Sequence, residues 1–172
     1  MRRLPEPVLT HAGGGARGAA AQAPSEPDWL LTVALMASAA GLTFVMYYAV
    51  PTQLPYLLIS IGLDQPQQAG LVMGATMLAA AGLSVASGWI RLILGRIGTP
   101  VAGFLLLAAG FWGMSQAQTL PLQMLSAALN GAGLGLTMPA FITTALNVTP
   151  AHRRGAVAGA MISTIFLGQF LS

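Results

Sequence analysis

The chain has 172 residues, of which 55% are apolar and 6% are charged, and its mean hydropathy is +0.73. A water-soluble domain carries about 25% charged residues, because its surface has to be solvated. These values exclude a soluble globular fold and indicate an integral, all-α membrane protein.

The net charge of +3 comes from seven arginines set against four acidic residues. The arginines stand singly or in pairs, without the basic stripe and interleaved aromatic side chains of a nucleic-acid-binding surface, so we expect no nucleic-acid partner. The chain has no cysteine, which removes disulfides, thiolate metal ligands and cysteine nucleophiles. His152 has no second metal ligand nearby in the sequence and is typical of a solvated loop residue. We therefore expect no metal and no cofactor.

Residues 1–28 differ in kind from the rest of the chain. Alanine, glycine and proline dominate there, and six of the charged residues fall within the segment. Such a composition offers too little apolar surface to offset the entropy of ordering. We predict a disordered tail over residues 1–28, followed by a transmembrane helical domain over residues 29–172.

The first predicted span covers residues 30–58 and is longer than the roughly 20 residues that a membrane helix needs. Pro51 and Pro55 lie near its end, and each proline removes a backbone donor and crowds the preceding turn. Two interpretations stay open: the helix ends at these prolines, or it bends there and lines a polar cavity. In the second interpretation the cavity is faced by Tyr47, Tyr48 and Gln53.

A short polar connection with Asp64 precedes the second predicted span, residues 69–90. Gly70 and Gly74 in this span have the four-residue spacing of small residues at which membrane helices approach one another, so we expect them to pack. After a connection that contains two arginines, the third predicted span covers residues 100–115.

The fourth predicted span, residues 122–146, is the richest in glycine, with Gly131 and Gly135 again four residues apart. It also holds Asn130, whose amide either faces a substrate cavity or hydrogen-bonds a neighbouring helix. Thr137 is a further candidate for the cavity. The fifth predicted span covers residues 155–172 and would rise about 27 Å as a helix.

Five spans place every arginine on one side of the membrane and Asp64 on the other. The positive-inside rule assigns the arginine side to the cytoplasm, so the N-terminus is expected there. None of the spans contains an acidic residue, a histidine, a lysine or an arginine, the ionisable residues that usually mark proton coupling.

The connection between the second and third spans contains Gly88, Gly95 and Arg96, which fit the two glycines and the last arginine of the pattern Gly-x-x-x-Asp-Arg-x-Gly-Arg. With this pattern, the connection resembles a loop of the major facilitator superfamily of secondary transporters. Leu92 and Ile93 stand where the family has the aspartate and the first arginine. The resemblance implies a role for Arg96 in gating at the cytoplasmic face; an anchor to lipid phosphates is equally compatible with the sequence.

Two further stretches are similar to the same family. The first stretch contains a proline followed by Arg153, Arg154 and Gly155, as in the loop between the fourth and fifth helices of one half of the family's transporters. The second stretch, residues 166–172, resembles the eleventh helix of some bacterial members. The resemblance implies five transmembrane helices, the seventh to the eleventh, of an incomplete C-terminal half in a bacterial inner membrane. It also implies a missing N-terminal half as partner and a small-molecule substrate that passes between the halves.

The sequence thus predicts a part of a secondary transporter, surrounded by the lipid bilayer, that depends on a second half. The alternative is a non-transporting scaffold or partner subunit held by the glycine-rich helix faces. An intramembrane enzyme is disfavoured, because the spans contain no nucleophile with a base, no carboxylate pair and no metal ligands. The residues do not specify the substrate, the direction of transport, the coupling ion or the oligomeric state.

Overall fold

The computed structural model describes residues 26–172, with side chains from residue 29 onward. The predicted tail lies outside the described residues, except that its last three residues begin the first helix. Each of the four helices is long and apolar enough to cross a membrane, and the described part contains no strand. The elements are α1 (Glu26–Ser60), α2 (Pro66–Gln116), α3 (Leu120–Val148), a 3-10 turn (Ala151–Arg153) and α4 (Arg154–Leu171).

Helix α1 continues through Pro51 and Pro55, so the interpretation of these prolines as a helix end is wrong. Unwinding a helix within a bilayer exposes backbone groups that lipid cannot satisfy, and hydroxyl side chains often support the backbone beside a proline instead. Thr52, which lies between the two prolines, has its hydroxyl 3.0 Å from the carbonyl oxygen of Tyr48 and 3.1 Å from that of Ala49. Helix α1 is therefore continuous through the proline-containing turns.

Helix α1 ends at Ser60, where a glycine turns the chain. Gly62 has a φ of +79°, a backbone conformation that glycine adopts without steric cost. The N–H of Leu63 donates to the carbonyl oxygen of Leu58 at 2.8 Å, which satisfies a terminal carbonyl of the helix. Pro66 then begins α2, at a position where its missing N–H costs nothing.

The described residues form four helices rather than five, because the second and third predicted spans are joined in the single helix α2. Residues 91–99, predicted as a connection, are helical except for Gly95, whose φ of 74° and ψ of −175° are far from helical values. A straight helix of 51 residues would be about 77 Å long, more than twice the hydrocarbon thickness. One non-helical residue is enough to divide α2 into two arms, residues 66–94 and 96–116.

The two arms of α2 run in opposite directions along α3. In the first arm, Thr76 meets Gly131 and Ala80 meets Gly135, so residue numbers rise together and this arm is parallel to α3. In the second arm, residue numbers rise along α2 as those of the contacted residues in α3 fall, so this arm is antiparallel to α3. Its contacts are Gly103 with Thr137, Gly110 with Asn130, and Gly113 with Ser126. The chain consequently reverses at Gly95, and α2 is a helical hairpin packed against α3.

The glycines predicted to pack in the second span do not do so within the described part of the chain. A Cβ atom on Gly70 or Gly74 would meet nothing within 4 Å, because both residues point away from α3. The close approach depends instead on the glycines of α3, with Thr76 and Ala80 supplying the backbone of the first arm. Both helices have glycines four residues apart, but only the pair on α3 contacts the other helix.

Helix α4 packs beside α1 and runs parallel to it. Gly41 lies against Gly168 and Thr164, while Trp29, at the start of α1, lies under the guanidinium of Arg153, just before α4. The first turns of both helices are therefore at the same end of the bundle. An apolar cluster fills the space between α1, α3 and α4 there: Trp29, Val33, Ala40, Phe141, Ala145, Val157 and Met161.

A second apolar cluster lies at the opposite end, where α1, the two ends of α2 and the start of α3 meet. Its buried members are Val50, Leu54, Leu58, Val72, Met114 and Ala127. The outer surface is also apolar: Val85 and Phe170, for example, are 88% and 87% exposed. Such a surface suits contact with lipid rather than water.

Candidate functional site

The first part of α3, from its first turn to just past its middle, carries a row of buried polar side chains that face the second arm of α2. These residues follow one another at intervals of three, four and seven, so they share one face of the helix. Glycines on the opposite helix allow the two backbones to approach closely. The members of the row are Gln123, Ser126, Asn130 and Thr137.

Asn130 is the residue of this row whose polar atoms lack partners. Its side chain is 0% exposed, and neither its Nδ2 nor its Oδ1 makes a hydrogen bond to any described residue. A buried amide without a partner loses its hydration without compensation, which costs about 1–3 kcal/mol. Asn130 therefore offers both a donor and an acceptor in the middle of the bundle.

Thr137, a second candidate for the cavity, is satisfied within its own helix. Its hydroxyl lies 3.0 Å from the carbonyl oxygen of Gly133, and its methyl group faces Gly103. Gln123 is intermediate: its Nε2 donates to the carbonyl oxygens of Met114 and Ala117, whereas its Oε1 has no partner in the described residues.

The two tyrosines predicted to face a cavity form an aromatic cluster on α1 with Phe44. The rings of Phe44 and Tyr48 are stacked with centroids 5.8 Å apart, and the rings of Tyr47 and Tyr48 meet edge to face at 5.7 Å. Tyr47 is buried, while Tyr48 is half-buried. Both arrangements are favourable for aromatic pairs.

Gln53 lies farther along α1 and is exposed. It lines a cavity of about 310 Å³ between α1 and the second arm of α2, whose walls include Leu54, Phe111 and Met114. The five predicted cavity residues thus occupy two regions, one along α1 and one between α3 and α2. Their role in substrate binding stays a prediction.

The motif residues of the predicted cytoplasmic side gather at the end of the bundle where α1 and α4 begin. Gly95 makes the reversal of α2, Gly88 lies on the exposed side of its first arm, and Gly155 lies in the first turn of α4. Asp64 is at the other end, in the connection beside the second apolar cluster. The charged residues of the described segment are therefore separated between the two ends.

Three of the four arginines at this end are held by a neighbouring group. The Arg91 Nη1 donates to the hydroxyl of Thr143 at 2.8 Å, which ties the first arm of α2 to α3. The guanidinium of Arg153 lies 6.0 Å from the ring centroid of Trp29, within the range of a cation–π contact. The Arg154 Nε donates to the carbonyl oxygen of Thr149 at 3.4 Å.

The fourth arginine, Arg96, faces a cavity of about 520 Å³ between α1, the second arm of α2 and α3. It makes no hydrogen bond or ion pair with any residue whose side chain the structure describes. Apolar and aromatic side chains form most of the remaining wall, together with the hydroxyl of Thr144. The apolar lining residues include Met36, Ala39, Ile97, Val101, Phe104 and Phe141.

Sequence reasoning missed both the contact between Arg91 and Thr143 and the cavity beside Arg96. The two residues of the first pair are 52 positions apart, and no local pattern connects them. Only the parallel register between the first arm of α2 and α3 brings them together.

His152 accepts a hydrogen bond from the Nε of Arg153 at 3.4 Å. Residues 29–172, whose side chains the structure describes, contain no group of three potential metal ligands.

Comparison with protein families gives one finding that covers nearly the whole chain. A family model described as Major Facilitator Superfamily matches residues 4–172, and so includes all four helices. Comparison with curated proteins finds no match.

Proposed function

The chain belongs to the major facilitator superfamily of membrane transporters, and we propose that it carries a small solute as part of a secondary active transporter. The observation on which this proposal depends is the family match over residues 4–172, which spans the entire helical bundle. It is a multi-pass membrane protein whose helices are long enough to cross the bilayer. We further propose that it has no catalytic activity of its own.

The orientation in the membrane is part of the proposal. Arg91, Arg96, Arg153 and Arg154 lie at the end where α1 and α4 begin, and an excess of arginine marks the cytoplasmic side of a membrane protein. We propose that this end, with the N-terminus, lies in the cytoplasm of a bacterial cell and that the membrane is the inner one. The similarity of residues 166–172 to bacterial members supports this location.

The path for the solute is proposed to lie between this bundle and a second one. Transporters of this superfamily are built from two six-helix halves that rock around a site near the middle of the membrane. The described helices would supply part of one wall. The proposed polar contributors to this wall are Tyr47, Tyr48, Gln53, Asn130 and Thr137. Asn130 is the strongest candidate among them, because both polar atoms of its amide are buried without a partner in the described residues.

The alternative function is that of a non-transporting partner subunit. One observation favours it: Gly70, Gly74 and Gly82 on the first arm of α2 have open space beside them, so a helix of another protein can approach closely there. In this case the chain inserts and binds its partner but moves no solute.

Solute-driven flux in inverted membrane vesicles separates the two functions. Vesicles that hold the second half are prepared with and without the expressed chain and are energised. A panel of sugars, amino acids, organic acids and lipophilic cations is then added while proton movement is followed with 9-amino-6-chloro-2-methoxyacridine. A transporter gives saturable dequenching with at least one class of solute, and a protonophore abolishes it. Normal insertion without any solute-dependent signal, in vesicles that also hold the second half, contradicts the proposal and favours the partner subunit.

A further inference from the structure

We propose that the cavity beside Arg96 binds an amphipathic organic anion, with one carboxylate or phosphate headgroup on an apolar body. The inference goes beyond the proposed function, because it concerns binding at a site distinct from the row of polar residues on α3. It follows from the state of Arg96, from the walls of the cavity and from its position in the bundle.

Arg96 supplies the positive charge of the cavity. A guanidinium stays protonated at every physiological pH and presents several donors in a planar fork. The other three described arginines are each held by a hydroxyl, a carbonyl or an aromatic ring, whereas Arg96 has no polar partner among the described side chains. Its donors are available to an anion that enters the cavity.

The walls of the cavity are mostly apolar and aromatic. The rings of Phe104 and Phe141 meet at a centroid distance of 5.9 Å and form one side, while Met36, Ile97 and Val101 contribute aliphatic surface. Such walls favour an apolar body and offer little to a small, fully hydrated ion such as chloride. The volume of about 520 Å³ lies within the range of small-molecule sites.

A threonine hydroxyl is the polar group that accompanies Arg96 in the cavity wall. Thr144 lies in the wall of the cavity, and its hydroxyl makes no hydrogen bond to the described residues. A carboxylate or phosphate bound to Arg96 can accept a second hydrogen bond from this hydroxyl. Together the two residues distinguish an anionic headgroup from a neutral or cationic one.

The position of the cavity allows two sources for the anion. It lies near the end of the bundle where the arginines gather, at the level where lipid headgroups meet water. The headgroup of an anionic lipid and a soluble metabolite with an apolar body share the required chemistry. Competition by an anionic lipid distinguishes the two sources.

Binding is measured with 11-(dansylamino)undecanoic acid, a fluorescent fatty acid, added to the full chain in phosphatidylcholine nanodiscs. We expect saturable binding with an emission shift to shorter wavelength, displaced by dodecanoate but not by dodecanol or dodecylamine. Arg96→Gln is expected to weaken binding at least about tenfold, because a charge-assisted hydrogen bond is lost. Arg96→Lys keeps the charge and is expected to recover part of the affinity.

Two further variants keep the test independent of a folding defect. Arg91→Gln is the matched control: it removes a guanidinium at the same end of the bundle but outside the cavity wall, and we expect a change of less than about twofold. Val101→Trp fills the cavity without altering its charge. Val101 lines the cavity and is 51% exposed, so the larger ring can occupy the cavity without displacing a fully buried side chain, and we expect it to abolish saturable binding.

Replacing part of the phosphatidylcholine by phosphatidylglycerol identifies the source. Competition by phosphatidylglycerol in the wild type, but not in Arg96→Gln, assigns the site to a lipid headgroup; binding of the probe without such competition assigns it to a soluble anion. The proposal is overturned if the wild type shows no saturable binding of the probe. It is also overturned if Arg96→Gln binds the probe as the wild type does, or if dodecanol competes as well as dodecanoate. None of these readouts requires transport, so they are independent of the proposed function.

Discussion

Gly110 lies directly against the backbone of Asn130: a Cβ atom on Gly110 would stand 2.6 Å from the Asn130 nitrogen. This distance is shorter than any carbon–nitrogen contact that packed helices tolerate. Close contacts recur one turn away, where Gly113 faces the side chain of Ser126, and two turns away on the other side, where Gly103 faces the methyl group of Thr137. Helices in lipid gain little from apolar burial against each other, so close approach at such glycines is what joins the hairpin to α3.

The first prediction concerns this contact. Gly110→Ala is expected to lower the free energy of unfolding by about 1–3 kcal/mol, because the added methyl group forces the second arm of α2 away from α3. The measurement is thermal unfolding of the purified chain in detergent, followed by size-exclusion fluorescence. Gly82→Ala is the control: it lies in the same helix with open space around it, and we expect no loss. Equal destabilisation by both substitutions would contradict the packing.

The second prediction concerns the reversal of α2. Gly95 has a φ of 74° and a ψ of −175°, a region of backbone space that is open essentially only to glycine. No atom lies within 4 Å of the position of its Cβ, so Gly95→Ala tests the backbone conformation alone.

We expect Gly95→Ala to cost about 1–3 kcal/mol and to increase proteolysis near the turn. The matched variant Gly88→Ala replaces a helical glycine with equally open surroundings and is expected to be neutral or slightly stabilising. If Gly95→Ala is as stable as Gly88→Ala, the hairpin does not depend on this residue.

The third prediction concerns the link between Arg91 and Thr143. Their hydrogen bond of 2.8 Å joins the first arm of α2 to α3, and both side chains are partly solvated. A double-mutant cycle with Arg91→Gln and Thr143→Val is expected to give a coupling energy of about 1 kcal/mol in unfolding stability. Thr144→Val replaces Thr143→Val in the control cycle, and its coupling to Arg91 should be near zero. Similar coupling for both threonines would show that the bond does not contribute.

The fourth prediction concerns Asn130. Since both polar atoms of its amide are buried without a partner in the described residues, Asn130→Ala removes a group that destabilises this conformation. We expect unchanged or higher thermal stability together with a loss of solute transport. Thr76→Val is the control, because Thr76 is a buried threonine outside the proposed solute path whose hydroxyl bonds within its own helix, and we expect little effect on either property. A variant Asn130→Ala that transports normally would exclude the amide from the substrate path.

The distribution of charge was the part of this structure that the sequence predicted best. Too few charged residues were present to cover a soluble protein, and the positions of Arg91, Arg153 and Asp64 along the chain already required them to lie at helix ends. The turn at Gly95 was predicted at the right place but with the wrong form. A connection of nine residues was expected, whereas a single glycine with positive φ accomplishes the reversal.

The packing of the helices could not be predicted from spacing alone. Gly70 and Gly74 have the same four-residue interval as Gly131 and Gly135, yet only the second pair meets another helix in the described structure. The difference lies in the rotation of each helix about its axis, which is set by all its neighbours together. The cavity beside Arg96 depends on three helices at once and leaves no trace in any one stretch of sequence.

The central claim is that the helices cross the membrane with the turn at Gly95 and the start of α4 on one side, and the connection between α2 and α3 on the other. The chain has no cysteine, so single cysteines placed at Leu94, Ala151 and Gln118 can be labelled without background. A membrane-impermeant maleimide applied to sealed inverted vesicles is expected to label Leu94→Cys and Ala151→Cys, while Gln118→Cys reacts only after the vesicles are opened. Labelling of Leu94→Cys and Ala151→Cys from opposite sides would contradict the hairpin and, with it, the proposed transporter.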